Sequence, residues 1–165
     1  MEQSLTAQSD TGHPSQVGQR LSRLAPALLT LASVAGWVAV ELGHLDFFSF
    51  EDDEGTFLLT ARAVYDGHAL YREVWFNYLS GLMNLLVLVF RVGGVSLTGP
   101  RALMVVLTAI TMLLASRIAR RAFGRWAGAL TALLLVLVPA VSSMGRSVMA
   151  EIPATVCGAL AILAL

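Results

Sequence analysis

The chain is short of charge. Only 13% of its 165 residues are Asp, Glu, Lys or Arg, whereas 56% are hydrophobic, and mean hydropathy is +0.72. Those values lie far from the composition of water-soluble domains and point to a membrane protein. Net charge is formally zero and the arginines are clustered, so no general basic field recruits nucleic acid, and no nucleic-acid partner is expected. Cysteine is nearly absent. Cys157 stands alone in an apolar run, which excludes an internal disulfide and a cysteine-built zinc site and leaves it as a small hydrophobe. Also missing are a nucleophilic-serine motif, a phosphate-cradling glycine loop, a dinucleotide fingerprint, a repeat of fixed period and heptads. His44 and His68 have no partner at metal-ligand spacing.

What is present is a succession of long apolar runs. Residues 1–23, rich in Ser, Gln, Thr and Gly, read as a solvated tail ending in Arg20 and Arg23. Residues 24–45 are apolar except for Glu41 and His44 near the end, long enough for a first span. The small residues Ser33, Val34 and Ala35 resemble a signal-peptide cleavage site, but the hydrophobic run continues beyond them. Further spans are expected at 100–119 and 126–141. A last one, 153–165, is expected to be cut short, because the twelve residues of helix from Ala154 to Leu165 rise only about 18 Å against a hydrocarbon core of roughly 30 Å. The chain thus reads as part of a larger fold.

Between the first two spans lie two further helical patterns. Phe57, Leu58, Ala61, Val64 and Tyr65 recur at helical spacing, predicting a helix over 54–66 that Asp66 and Gly67 end. It is too short and polar to span, so it is expected to lie along the interface. A second such helix is expected over 75–90, where Asn77, Ser80, Gly81 and Asn84 make a polar stripe. Arginines set the orientation. Arg117, Arg120, Arg121 and Arg125 fill one short loop between the spans at 100–119 and 126–141, and Arg20 and Arg23 mark the tail. If both are cytoplasmic, an even number of crossings separates them, and 75–90 does not span. The rival topology, with the tail outside and 75–90 spanning, forfeits only the two tail arginines. The expected fold class is therefore all-α: a multi-pass membrane domain over 24–165 with two interfacial helices in its first outer loop.

On that topology, the acids after the first span share the outer face with Glu151. Acids beside apolar surface suit a general base, and paired carboxylates hold a divalent cation on a phosphate. Asp53, Glu54 and Glu151 are the candidate catalytic residues, and Arg62, Arg72 and Arg146 the candidate phosphate ligands. Each has a plainer reading. Asp52 or Asp53 serves as a helix cap, Glu54 suits a first helical turn, Glu151 is a polar flank before Pro153, and the arginines are interfacial anchors.

The order of features adds a resemblance. A membrane helix, DDEGTFLLTARAVYDGHALYREVWF, a polar-striped helix, GGVSLTGPRALMVV, RIARRAFGRWAGALTALLLVLVP and SVMAEIPA together resemble the N-terminal part of a C-type-fold integral-membrane glycosyltransferase. The likeness is to the bacterial group related to protein O-mannosyltransferases and lipid A aminoarabinose transferases. Asp53, Glu54, Gly67 and Tyr71 match its acid pair, glycine and tyrosine; Gly94, Ser96 and Arg101 match the segment that opens the next span. The resemblance implies transfer of a sugar from a polyprenyl-phosphate-linked donor to a lipid, glycan or protein acceptor. The reaction would take place at the outer face of the inner (plasma) membrane, with Asp53 as base or acceptor organiser and Glu151 as a second functional acid. Where relatives carry a proline-rich step, this chain has FNYLSG, and the further spans of relatives lie beyond it. The reading from another class is a non-catalytic membrane scaffold or a degenerate, truncated relative whose acids only cap helices.

Overall fold

A computed structural model describes residues 16–47, 52–78 and 80–165, with side chains from residue 24 onward except that of Asp52. The tail before residue 16, the side chains of Arg20 and Arg23 and the capping role foreseen for Asp52 fall outside that range. The described chain is α-helical: α1 (Gln16–Leu42), α2 (Asp52–Tyr65), α3 (Gly81–Gly93), α4 (Thr98–Phe123), α5 (Arg125–Leu137), α6 (Pro139–Met144) and α7 (Glu151–Ala164).

Among the described residues two helices are long and apolar enough to cross a membrane, Leu24–Leu42 of α1 and Thr98–Phe123. Only 22% and 28% of these stretches is buried within the protein, unlike the core helix of a soluble domain. Leu28, Leu31, Val106, Leu130, Leu134 and Leu137 stand exposed on the bundle perimeter. A contiguous apolar surface of this kind is an aggregation hazard in water and ordinary in hydrocarbon, and it supports membrane association. The shorter apolar helices Gly81–Gly93, Arg125–Leu137 and Glu151–Ala164 complete the set.

Several boundaries differ from the sequence reading for identifiable reasons. The span read at 126–141 is two helices, because Pro139 lacks an N–H and holds Val138 extended (φ −76°, ψ 117°), which breaks the ladder. The arginine-rich segment read as a loop is helical. Arginine is a good helix former, and Arg120 and Arg121 suit the negative end of the α4 dipole. The turn into α5 is Gly124 alone, at φ +96°. The second inter-span helix begins at Gly81 rather than at 75. The segment ahead of it instead carries Phe76 into the core, edge-to-face on Phe57 and tilted against Tyr78, while the Tyr71 hydroxyl donates to the Tyr78 carbonyl at 2.6 Å.

α4 is the hub, packing on α1, α3, α5 and α7. One apolar cluster joins α1, α4 and α5 through Val34, Trp37, Val105, Met112 and Ala132. Another joins α2, α3 and the N-terminal half of α4 through Phe57, Ala61, Met83, Leu86, Phe90 and Met104, with Val148 closing it. α4 and α5 approach closely at Gly128, where a Cβ would stand 2.7 Å from the Ser116 carbonyl oxygen; the Ser116 hydroxyl donates to the Gly128 carbonyl at 2.7 Å. The N-terminal part of α1 borders the last turns of α4, and Arg121 at the end of α4 donates to the Leu163 carbonyl at the end of α7. The end of α1 and the starts of α4 and α7 therefore gather at the opposite pole.

Candidate functional site

That pole collects the buried charged groups of the described residues, Glu41, Glu54 and Arg101. α1 delivers Glu41 one residue before its end, and the turn that follows presents the carbonyls of Leu45 and Phe47. α2 begins at Asp52, placing Asp53 and Glu54 in its first turn, where carboxylates suit the helix dipole. α4 contributes Arg101, one turn from its start, and the segment between α6 and α7 brings Arg146, Ser147 and Val148.

Arg101 and Glu54 form a bidentate pair: Nε donates to Oε1 at 2.9 Å and Nη2 to Oε2 at 2.6 Å. The side chains are 3% and 7% exposed. At that burial an unpaired charge is costly, and here each is answered on several sides. Arg101 Nη1 also donates to the carbonyls of Leu45 and Phe47 at 2.5 and 2.7 Å, engaging four of the five guanidinium N–H groups. Glu54 Oε1 accepts a third bond, from the Val148 N–H at 3.2 Å. One ion pair thus ties the start of α2, the α1–α2 turn, α4 and the approach to α7. A lysine has no planar fork with which to reproduce it.

A second pair lies beside the first along the chain. Arg146 Nη1 donates to Glu41 Oε2 at 3.1 Å, with the Glu41 side chain 5% exposed. Arg146 Nε and Trp37 Nε1 are buried without a hydrogen-bond partner among the described residues. The Thr108 hydroxyl donates to the Gly145 carbonyl at 2.9 Å and fastens this segment to α4.

The six residues singled out from sequence are distributed unevenly. Asp53 is exposed, next to the fixed Glu54; Glu151 is exposed on the first turn of α7, three residues after Val148. Arg146 belongs to the cluster through Glu41. Arg62 is on the last turn of α2, about 13 Å along the helix from Asp53, and pairs with Asp66 at 2.7 Å in the open. Arg72 is exposed in the turn after α2. The structure therefore gathers Glu54 and Arg146 at one pole with Asp53 and Glu151 adjoining, and separates Arg62 from them. Arg101 and Glu41 were not singled out as site residues, though each is a charge in an apolar run, the sign of a buried partner.

Among the described residues no three His, Cys, Asp or Glu side chains group to hold a metal. The acid pair also fits a cation poorly. Glu54 already shares both oxygens with a guanidinium, and only Asp53 remains free to ligate.

An α-helical membrane-associated bundle with a buried polar pole is the class these features define. Residues 82–165, half of the chain, match the family of dolichyl-phosphate-mannose-protein mannosyltransferases, and the chain belongs to that family. The matched region contains Arg101, Arg146 and Glu151 and begins after α2, so Asp53 and Glu54 precede it. No curated protein and no solved structure matches the chain.

Proposed function

We propose that the chain is the front portion of a membrane glycosyltransferase that moves a sugar from a polyprenyl-phosphate donor to an acceptor hydroxyl at the outer membrane face. The reading is carried by the acid pair at the polar pole. Glu54 is immobilised by Arg101 and Val148, so its neighbour Asp53 projects from a helical turn whose position is fixed to α4 and to the start of α7. Family membership supports sugar transfer as the chemistry.

In this proposal Asp53 takes the proton of the acceptor hydroxyl as its oxygen bonds to the anomeric carbon. The bond from that carbon to the polyprenyl phosphate breaks, and the phosphate leaves with the electron pair. Arg146, whose Nε has no hydrogen-bond partner among the described residues, meets the developing phosphate charge. Glu54 and Arg101 are positioning residues, and Glu151 borders the acceptor side. The arrangement of chain ends agrees with the charge-based topology, since the start of α1 and the arginines closing α4 share one pole. That pole is cytoplasmic in the proposal, the acids face outward, and α2 and α3 lie along the outer interface.

The test is Asp53→Asn in the complete protein, in membranes supplied with a labelled polyprenyl-phosphate sugar. Loss of a general base lowers turnover by about 10²–10⁴ with little change in KM. Turnover within a few-fold of wild type would remove Asp53 from the chemistry.

A further inference from the structure

The opposite pole holds a groove of about 630 Å³ between α1, α4 and α5. Its lining joins the apolar Pro26, Ala27, Leu31, Leu113 and Leu114, with Thr30 and Ser116 among them, to Arg117, Arg120, Arg121 and Arg125. Among the described residues no carboxylate stands against them. α4 and α5 contain no Asp or Glu, and neither does α1 before Glu41. Every ion pair among the described residues lies elsewhere. Arg121 is occupied with the Leu163 carbonyl, whereas Arg117, Arg120 and Arg125 have no hydrogen-bond or ion-pair partner among the described residues.

Arginines at the end of a membrane span ordinarily extend into bulk water or among lipid headgroups. Here they line one cleft together with apolar side chains of α1 and α4. An apolar slot bordered by cations that have no ion-pair partner among the described residues is complementary to a molecule with a hydrocarbon tail and one anionic head. We propose that this groove binds an anionic phospholipid of the adjoining leaflet, its phosphodiester on Arg117, Arg120 and Arg125 and an acyl chain along Leu31, Leu113 and Leu114. Such a lipid would seal α1 against α4 and α5 at the pole remote from the acids. The inference needs the membrane reading of α1 and α4 but not sugar transfer. Its readout is lipid occupancy, so it stands or falls separately from Asp53.

The experiment compares phosphatidylglycerol with phosphatidylcholine on the full chain in nanodiscs, by native mass spectrometry and thermal unfolding. The wild type is expected to retain phosphatidylglycerol at least about tenfold over phosphatidylcholine, with a stabilisation that declines as salt rises. The triple change R117Q/R120Q/R125Q is expected to abolish that preference while unfolding at the wild-type temperature in phosphatidylcholine. Equal retention of the two lipids by the wild type, or an unchanged preference in the variant, overturns the proposal. So does inorganic phosphate in phosphatidylcholine discs stabilising as much as phosphatidylglycerol, which would assign the arginines to a soluble anion. If the variant does not fold, the wild-type preference and its salt dependence decide alone.

Discussion

Glu54 takes two of the four hydrogen bonds that Arg101 donates, and Arg101 supplies two of the three that Glu54 accepts, so neither tolerates removal of the other. Glu54→Gln leaves a buried guanidinium facing a neutral amide, and a loss of about 3–5 kcal/mol is expected. Arg101→Lys keeps the charge but loses the fork and abandons one or more of the Leu45, Phe47 and Glu54 contacts. The double replacement Glu54→Leu with Arg101→Met should cost less than either Glu54→Gln or Arg101→Met alone. Thermal unfolding of the purified protein across that double-mutant cycle measures the coupling. The acids were legible in sequence as an anomaly of charge, and Asp53 and Glu54 were named from it. Their division of labour was not legible. Which of two adjacent carboxylates turns inward is decided by an arginine 47 positions away, and no local pattern carries that information.

At the scale of elements, two glycines and a proline determine how the helices meet. Gly124 makes the reversal between α4 and α5, Gly128 lets them touch, and Pro139 ends α5. Gly128→Ala would set a methyl group 2.7 Å from the Ser116 carbonyl oxygen and 2.9 Å from the Arg120 Cβ. The helices would have to part, at a cost of about 1–3 kcal/mol. Reduced cross-linking between cysteines placed across α4 and α5, with a lower unfolding temperature, is the expected outcome. Apolar periodicity located most helices because it reports burial directly. It failed at 75–80, where Phe76 is apolar for reasons of core filling and not of helix phase. At 116–123 it was overruled by charge, although a run of arginines can continue a helix as readily as end it.

Among the described residues charge is separated by pole: Glu41, Glu54 and their arginine partners at one end, arginines without an ion-pair partner at the other, and apolar perimeter between. On the proposed orientation, a single cysteine at position 53 in a Cys157→Ser background reacts with a membrane-impermeant maleimide added to intact cells. One at position 125 reacts only after the membrane is opened. Labelling of position 125 in intact cells would reverse the orientation and transfer the acids to the cytoplasmic side.

The three acceptances of Glu54 also set an order on synthesis. Its guanidinium partner follows 47 residues later and its last donor, the Val148 amide, 94 residues later. At roughly 5–20 residues per second, the ribosome needs about 5–20 s to span that second interval. For the second half of it Arg101 can already hold Glu54 through two bonds, but the turn that carries Asp53 is not tied to the threshold of α7 until the Val148 amide arrives.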